Sequence, residues 1–391
     1  MLEYVLGFLG LYSVVFYSLL YLSERDRLRE DPPPRRKPQL SVIIPAYNEE
    51  KGIGKTIDSV LALNYPKKLL EVIVVNDGSK DGTAGIAKGY KVKLINKKNT
   101  GKANSINVAL KEAKGELVAI MDADSYASRN SLLNMVGYFE QPDVAAVTAT
   151  LKVWDPKTRI QRLQIGEYQV VGLIKKLQSF IDGISVTPGP FSIYRRSVLL
   201  ELGGFDENTL TEDQEIALRI QRANLRIENS FNAEVFTEVP EGVWPLLRQR
   251  RRWCLGYLQN MWKHRALFSP RYGDFGLFVL PVATSLVILA AFSFFINYAP
   301  KSTDFSVRFE SAPQSLFYLE LTPIRVVFAA IFIANALAVY YTIRSSRESG
   351  FLGSFLSLSV ISTFTIILWL AVLFEQALNV ARGIKPAWRG D

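Results

Sequence analysis

The sequence predicts an α/β domain with a Rossmann-like mixed sheet, joined to membrane-spanning α-helices. Three observations indicate this fold class. From residue 38 onward, short apolar runs alternate with segments of helical spacing, as in strands joined by helical crossovers. Each of the first predicted strands ends in a polar loop. Four other segments carry no charge and are long enough to cross a bilayer.

Composition limits the classes of function. A chain of 391 residues has room for two domains, or for one domain and a membrane portion. The formal net charge of +9 suits a phosphate-bearing substrate or an anionic membrane surface, and no motif indicates a nucleic-acid partner. The single cysteine, Cys254, and single histidine, His264, exclude an intrachain disulfide and disfavour a zinc site or a Ser-His-Asp triad. We expect Cys254 to be buried near the membrane and His264 to lie at the interface.

The first 23 residues are predicted to be a transmembrane helix. Residues 4–23 are uncharged, and basic residues follow the segment rather than precede it, which disfavours a signal peptide. The positive-inside rule then places the N-terminus outside and the following domain in the cytoplasm. Residues 24–37 form a basic linker, which we expect to be stiff because it contains Asp31-Pro32-Pro33-Pro34.

Residues 38–240 are predicted to be one α/β domain. Its first strands are expected at 40–45, 71–76, 91–95 and 117–121, with helices at 49–63, 81–88 and 103–113. A strand pair or hairpin is expected at 144–153, followed by helices at 159–180 and 211–223, the last capped by Thr211. Because ligands gather at the carboxyl ends of parallel strands, the polar loops should form one cleft.

The fourth predicted strand ends in Asp122-Ala123-Asp124. Side chains at positions i and i+2 share a face of a strand, so both carboxylates can turn toward one hard cation. Taken alone, this pattern is more often an acidic turn than a metal site. If functional, the pair would hold Mg²⁺ or Mn²⁺ against a diphosphate, where the metal acts as a Lewis acid on the leaving group.

Three further residues in the predicted loops carry candidate chemistry. Asp77 follows the second long strand and can accept hydrogen bonds from a base or ribose, although Asp-Gly-Ser is also ordinary turn chemistry. Lys102 precedes a helix and can meet a phosphate there. Asp213 is the candidate general base for a sugar hydroxyl that attacks an anomeric carbon. A metal at the leaving group and a base at the attacking group imply inversion.

The last part of the chain is predicted to be associated with the membrane. Residues 241–272 interleave aromatic and basic side chains, which favours a helix lying at the membrane interface. Residues 273–391 hold three predicted spans, at 275–299, 326–343 and 349–374, and a C-terminal tail. Successive crossings place this basic tail outside, against the positive-inside rule, and the sequence leaves that conflict open.

A set of motifs appears in order between residues 38 and 267. They are Pro45-Ala46-Tyr47-Asn48-Glu49, Asp77-Gly78-Ser79, Gly101-Lys102-Ala103-Asn104, Asp122-Ala123-Asp124, Gly189-Pro190, Gly203-Gly204-Phe205, Thr211-Glu212-Asp213 and Gln249-Arg250-Arg251-Arg252-Trp253. The ordered set resembles family 2 of the inverting GT-A glycosyltransferases. It is most similar to the membrane-integrated processive branch, which includes hyaluronan, chitin-oligosaccharide, poly-N-acetylglucosamine and cellulose synthases.

The resemblance implies roles for individual residues. Asp213 would be the base, with Glu212 and Thr211 in the same catalytic motif, and Asp124 would bind the metal. Gly189, Pro190 and Trp253 would contact the acceptor. The residues implied in nucleotide-sugar binding are Ala46, Tyr47, Asn48, Glu49, Asp77, Lys102, Asp122, Gln249, Arg252 and Trp253. Asn76 stands where most members have an aspartate, and at least one of Arg250, Arg251 and Arg252 is expected to contact only lipid headgroups.

The expected function is transfer of sugar from a UDP-sugar to the hydroxyl end of a growing polysaccharide. The enzyme would be a multi-pass protein of the cell membrane with a cytoplasmic catalytic domain, a Mg²⁺ or Mn²⁺ cofactor and an export path between its helices. One alternative is transfer of a single sugar to a polyprenyl phosphate or other lipid. Another is a transporter or scaffold that retains a nucleotide-binding domain without catalysis. The Gln-x-x-Arg-Trp motif favours the polymer, but nothing in the sequence identifies the sugar.

Overall fold

The computed structural model describes residues 2–285, 323–346 and 351–381. The strands are β1 (Leu40–Ala46), β2 (Leu70–Asn76), β3 (Lys93–Asn96), β4 (Leu117–Ile120), β5 (Ser125–Ala127), β6 (Val144–Val153), β7 (Ser192–Arg195) and β8 (Arg226–Thr237). The helices are α1 (Leu2–Glu24), α2 (Ile53–Leu61), α3 (Thr83–Lys88), α4 (Lys102–Glu112), α5 (Ser131–Val136), α6 (Arg159–Ser179), α7 (Arg196–Glu201), α8 (Glu212–Arg222), α9 (Val243–Lys263), α10 (Pro323–Ser346) and α11 (Phe351–Ala381).

In the described part of the chain, eight strands form one mixed sheet in the order β3-β2-β1-β4-β7-β6-β8-β5. The first four of these strands are parallel, as the alternation of strands and helices predicted. β7 pairs antiparallel with both β4 and β6, whereas β8 runs parallel to β6 and antiparallel to β5. The carboxyl ends of β1, β2 and β4 therefore share one edge, and the loops that follow them face a common cleft.

Both faces of the parallel half of the sheet are buried. Along β1, Val42 and Ile44 belong to one apolar cluster, whereas Ile43 belongs to a cluster on the opposite face. All three side chains are inaccessible to solvent. Helices cover both faces, which explains why the strands read as continuous apolar runs rather than as alternating patterns.

Several element predictions are confirmed, one is wrong, and one strand was not predicted. The first four strands and the helices between them are confirmed, although the first helix begins at Ile53, later than expected. Residues 144–153 form one strand, β6, and not a hairpin, because the segment contains no turn residue. The sequence analysis also missed β8, whose first half contains Glu228, Asn229 and Ser230. The Asn229 amide donates to Thr148 Oγ1 on β6 at 3.0 Å, so polar side chains hold these neighbouring strands together.

The linker at 24–37 is attached to the domain rather than standing free of it. Asp31 accepts hydrogen bonds from the Tyr138 hydroxyl and the Asn232 amide, both at 2.8 Å. Arg36 forms an ion pair with Glu116 at 2.5 Å. These contacts fix the position of the chain between α1 and β1 on the α/β domain.

Among the described residues, one helix is long and apolar enough to cross a membrane, at Gly7–Glu24 within α1. This finding concerns length and composition only. The predicted spans at 326–343 and 349–374 lie within α10 and α11, except for residues 349–350, which are not among the described residues. The predicted span at 275–299 is described only to residue 285, and its remainder and the C-terminal tail lie outside the described residues.

The long apolar helices pack on the α/β domain. Tyr21 of α1 stacks on Tyr341 of α10 with ring centroids 4.1 Å apart. Leu368 and Val372 of α11 pack against Cys254 of α9. Cys254 is buried, as predicted, and this burial raises the pKa of its thiol to about 12.

Candidate active site

The loop after β1 forms one wall of the cleft. Tyr47 is exposed, and Asn48 adopts a positive φ of 56°, a conformation that asparagine tolerates better than most residues. The Asn48 backbone amide donates to Ser79 Oγ at 3.0 Å, and its side-chain oxygen accepts from the Lys80 amide at 2.9 Å. The Glu49 amide donates to Thr83 Oγ1 at 2.8 Å. The loops after β1 and β2 are therefore joined into one rigid wall that begins at Ala46.

Asp77 holds the next loop in place. Its buried carboxylate accepts hydrogen bonds from the backbone amides of Thr100 at 3.0 Å and Gly101 at 2.9 Å, and it also contacts the Lys97 ammonium. Gly101 has a φ of 98°, which favours glycine. Three donors already occupy Asp77, so its first structural role is to shape the segment that leads into Lys102. Its expected contact with a base or ribose stays a prediction.

Lys102 lies at the centre of the cleft. Its Nζ is 2.6 Å from Asp122 Oδ1 and 3.0 Å from Glu212 Oε1. Burial disfavours the charged amine, but the two carboxylates outweigh burial and raise the pKa of Lys102 above its usual value. The sequence predicted that Lys102 faces a phosphate; in the structure it connects two carboxylates from separate elements.

Gly189 backs directly onto this ion pair. A Cβ atom at Gly189 would lie 2.5 Å from Lys102 Nζ and 2.8 Å from Asp122 Oδ2, closer than real Cβ contacts allow. The absence of a side chain at this position therefore gives the ion pair its room. Pro190, the other predicted acceptor residue, is half-buried in the same loop.

Asp122 and Asp124 lie in the turn between β4 and β5, not within the strand. Burial and the charge of Asp122 raise the pKa of Asp124 to about 6. Burial and the charges of Asp124 and Asp122 likewise raise the pKa of Glu49 to about 7. These shifts indicate an excess of negative charge that a cation would relieve.

The donor set fits a cation held jointly with a substrate. Among the described residues, no group of three or more Asp, Glu, His or Cys side chains converges on one point. Mg²⁺ is commonly held by one or two carboxylates together with the phosphate oxygens of a substrate. Asp122 and Asp124 suit that mode, in which the substrate completes the coordination.

Asp213 lies across the cleft, in the first turn of α8. Its half-buried carboxylate has a pKa raised to about 6 by burial and by the neighbouring Glu212. Burial alone would raise the pKa of Glu212, but the Lys102 ammonium acts against burial and the pKa is lowered. Thr211 occupies the predicted N-cap position, but its hydroxyl makes no capping bond and instead accepts from the Asn260 amide at 3.0 Å. A carboxyl with a pKa near 6 is suited to accept a proton at neutral pH.

The motif from Gln249 to Trp253 divides among several contacts. Arg252 donates to the Leu210 carbonyl at 3.0 Å, and its charge lowers the pKa of Asp213. Gln249 Oε1 is buried without a hydrogen-bond partner in the described part of the chain. The Arg250 guanidinium covers one face of Trp253, 4.3 Å from the ring centroid. The motif therefore approaches the segment before Asp213 through Arg252.

The other two arginines of this motif also have protein partners. Arg250 pairs with Glu167 of α6 at 2.7 Å, and Arg251 pairs with Glu375 of α11 at 2.5 Å. The expectation that one of these arginines contacts only lipid headgroups is therefore wrong. His264 was expected at the membrane interface, but it is buried and its Nε2 lies 3.2 Å from Glu215 Oε1.

The sequence analysis missed the contribution of α6. Its Lys175 has a pKa lowered to about 7 by burial, against the opposing influence of Asp213. The pKa of Tyr168, two turns earlier, is raised by burial and by nearby charges that include Asp124. In the sequence, this segment shows only helical spacing. No motif marks these residues, because tertiary packing alone brings α6 to the cleft.

Comparisons with known proteins indicate the class of enzyme that the chain resembles. Residues 41–203 match the model of the family described as Glycosyl transferase family 2. A mannosyltransferase from Pyrobaculum calidifontis, solved in complex with GDP-Man and Mn²⁺, has a similar fold with a TM-score of 0.56. That alignment is 21% identical and covers 92% of this chain and 98% of that chain. The match covers residues 41–203, and together with the mixed sheet it agrees with the predicted family and enzyme class.

Two curated relatives are described as poly-beta-1,6-N-acetyl-D-glucosamine synthase. The protein from Staphylococcus epidermidis is 32% identical over 234 residues, which are 57% of this chain and 56% of the relative. The protein from Staphylococcus aureus strain COL is 29% identical over 266 residues, which are 64% of this chain and 63% of the relative. The aligned region thus spans less than two thirds of either relative.

Proposed function

We propose that the chain transfers a sugar from a UDP-sugar to the hydroxyl end of a growing glycan, with inversion. The position of Lys102 carries the proposal. Its ammonium contacts Asp122, beside the candidate metal ligand Asp124, and Glu212, beside the candidate base Asp213. The Lys102 ammonium therefore lies between the residues proposed to act on the leaving group and those proposed to act on the attacking hydroxyl, the two groups at which an inverting sugar transfer requires catalysis.

On the acceptor side, Asp213 takes the proton from the attacking hydroxyl. Oxygen bonds to the anomeric carbon while the bond from that carbon to the diphosphate oxygen breaks, and UDP leaves with the electron pair. The reaction needs ionised Asp213, and the guanidinium of Arg252 favours that form. Glu212 stays ionised in contact with Lys102, so the proton is directed to the neighbour with the raised pKa.

On the donor side, Asp122 and Asp124 would hold Mg²⁺ or Mn²⁺, which would supply positive charge to the departing diphosphate. The wall that begins at Ala46 would orient the uridine, with Tyr47 exposed at its edge. Gly189 would keep the sugar close to the ion pair, because a side chain there has no space. Fixed donors and excluded water are the contribution of the protein to this step.

The donor that we propose is UDP-N-acetylglucosamine. The relatives described as poly-beta-1,6-N-acetyl-D-glucosamine synthase support this choice, and the net charge of +9 suits an anionic donor. We also propose that the protein is a multi-pass membrane protein with its catalytic domain in the cytoplasm. The apolar helix at Gly7–Glu24 and the basic residues that follow it support this topology.

Labelled donors test the proposal. Membranes that contain the protein are incubated with each of several UDP-sugars, with and without Mg²⁺ or Mn²⁺, and UDP release and product size are measured. We expect release from UDP-N-acetylglucosamine that depends on the metal, and a ladder of long products. A single lipid-linked monosaccharide would contradict the polymer and support transfer to a lipid. Binding of UDP without any transfer would contradict catalysis and support the scaffold alternative.

A further inference from the structure

The second half of α9 makes a seam of side-chain contacts with the segment that carries the candidate base. The seam joins residues 208–215 to Gln259, Asn260, Lys263 and His264. The Gln259 side chain accepts from the Leu210 amide at 3.1 Å and donates to the Asn208 carbonyl at 3.0 Å. These contacts begin at Gln259, more than one turn after Trp253 ends the Gln-x-x-Arg-Trp motif on the same helix, so they form a separate feature of α9.

Asn260 is the centre of this seam. Its side chain is fully buried, and its amide donates to the Thr211 carbonyl at 3.2 Å, the Thr211 hydroxyl at 3.0 Å and Gln214 Oε1 at 3.2 Å. Its oxygen accepts from Thr209 Oγ1 at 3.1 Å. The two residues that flank Glu212 and Asp213 are thus both bonded to one rigid amide, and a buried amide in such a network has few other ways to satisfy its polar atoms.

Glu215 reinforces the seam one turn after Thr211. It is fully buried and accepts from Arg219 Nε at 2.8 Å and from Lys263 Nζ at 2.5 Å, with His264 Nε2 at 3.2 Å. Burial opposes ionisation, but the bonds from His264 and Lys263 lower the pKa of Glu215 to about 2. Two of these partners come from the end of α9, so Glu215 fixes α8 against α9.

The base segment is also held on its opposite side. The Asp213 carbonyl accepts from the Thr187 amide at 3.2 Å and from its hydroxyl at 2.8 Å. On the α9 side, a Cβ atom at Gly256 would lie 2.6 Å from Thr211 Cγ2, so the glycine allows α9 to approach this closely. Contacts from both sides fix the backbone of Asp213, while its carboxylate accepts from the Gln214 backbone amide at 2.8 Å.

We propose that Asn260 and Glu215 are positioning residues that set the place of the Asp213 carboxylate relative to the acceptor hydroxyl. The inference rests on the proposed function, in which Asp213 is the base. Neither side chain contacts the Asp213 carboxylate, so neither residue transfers the proton. Their effect is geometric, and a misplacement of about 1 Å in a catalytic group is worth about a hundredfold in rate.

The test compares Asn260→Leu with Gln221→Leu in the full-length protein in membranes. Leucine keeps the approximate volume of both side chains and removes their hydrogen bonds. Gln221 lies on α8, the helix that begins with the candidate base; it is buried and donates to the Asp182 and Ile184 carbonyls away from Asp213. We expect Asn260→Leu to lower kcat by about a hundredfold while KM for the UDP-sugar stays within twofold. Gln221→Leu should lower Tm by a similar amount and keep kcat within twofold.

A kcat for Asn260→Leu that equals that of Gln221→Leu would overturn the proposal. If Asn260→Leu does not fold, Gln259→Ala removes three contacts of the same seam from a half-buried site, and we expect a fivefold to tenfold loss in kcat, roughly 1 to 1.4 kcal/mol. Amide hydrogen exchange of residues 210–214 should be faster in Asn260→Leu than in Gln221→Leu, and equal exchange would also overturn the proposal. The exchange measurement needs no turnover. It therefore shows whether the seam holds residues 210–214 in place even if the wild-type protein transfers no sugar and the proposed function fails.

Discussion

The cleft contains two carboxylate pairs that share one cation. Asp122 and Asp124 follow β4, whereas Glu212 and Asp213 begin α8. Lys102 contacts Asp122 at 2.6 Å and Glu212 at 3.0 Å. In each pair, the carboxyl that does not contact Lys102 has a pKa raised to about 6. The two pairs are thus alike in having one carboxylate in contact with Lys102 and one carboxyl whose pKa is raised to about 6.

The pairs differ in their other neighbours. The charge of Arg252 lowers the pKa of Glu212 and of Asp213, so the second pair has two cations nearby. Around Asp124, by contrast, both Asp122 and Glu238 raise the pKa. In the proposed function, these surroundings suit the first pair to a cation from outside the protein and the second pair to the role of a base.

The largest expected effect comes from removing the base. Asp213→Asn should lower kcat by about a thousandfold, within the range of general base catalysis, because the amide cannot accept the hydroxyl proton. Binding of UDP should be unchanged, since the amide keeps the shape of the side chain. Labelled sugar transfer measures the first quantity, and titration with UDP measures the second.

Glu212→Gln is the matched comparison for that variant. It removes the other carboxylate of the pair, which contacts Lys102, and should cost less activity than Asp213→Asn. Equal losses from the two substitutions would show that the pair acts as a unit, and near-normal turnover by Asp213→Asn would show that another group takes the proton.

A smaller loss is expected at the first pair. Asp124→Asn should lower kcat/KM by about a hundredfold, because the lost metal interaction supplies several kcal/mol of charge stabilisation. The concentration of Mg²⁺ or Mn²⁺ that half-saturates the reaction should rise. Glu238→Gln serves as the control, since Glu238 accepts from the Tyr126 hydroxyl at 2.8 Å and is not a predicted ligand. An unchanged metal response in Asp124→Asn would remove Asp124 from the metal site.

The sequence predicted where this cleft lies better than how its charges are paired. Polar residues after apolar runs predicted that Asp77, Lys102 and Asp122 meet at one sheet edge, and the parallel order of β1, β2 and β4 explains that success. The partner of Lys102 was not predictable. Glu212 lies far away in the sequence, and its contact with Lys102 depends on the position of α8 rather than on any local pattern.

The remaining misses have the same physical origin. The polar strand β8 and the cleft-facing side of α6 follow from tertiary packing, which overrides local propensity. His264 was expected at the membrane interface because its neighbours are aromatic and basic, yet the structure places it in a buried contact with Glu215. The residues next to His264 in the sequence do not indicate that its partner, Glu215, comes from another helix.

Lys102 itself offers a third way to separate the pairs. Because its charge lowers the pKa of both Asp124 and Asp213, Lys102→Met should raise these pKa values further. The base must be ionised, so activity falls as pH decreases through its pKa. A rise of one pKa unit would cost about tenfold in activity at acid pH and little well above the pKa. The pH profile of kcat from pH 5 to 9 measures this shift.

Lys98→Met provides the control. Lys98 is exposed, and its substitution lowers the net charge by the same amount as Lys102→Met. We expect its pH profile to match that of the wild-type protein. If Lys102→Met lowers activity equally at all pH values, the lysine acts on geometry alone, and the electrostatic likeness of the two pairs does not govern the reaction.

The smallest expected effect is at Arg251. This substitution tests whether basic residues of α9 other than Arg252 change the pKa of Asp213. Arg251 pairs with Glu375 at 2.5 Å, with both side chains 40% or more exposed. Exposed ion pairs contribute about 0–1 kcal/mol, so Arg251→Gln should change kcat by less than about twofold and Tm only slightly. Arg252→Gln removes the same charge one residue further on. Because the charge of Arg252 lowers the pKa of Asp213, this variant should lose activity at a higher pH than Arg251→Gln as the pH decreases. Identical pH profiles for the two variants would mean that total charge on α9, rather than the particular position of Arg252, sets the pKa of the base.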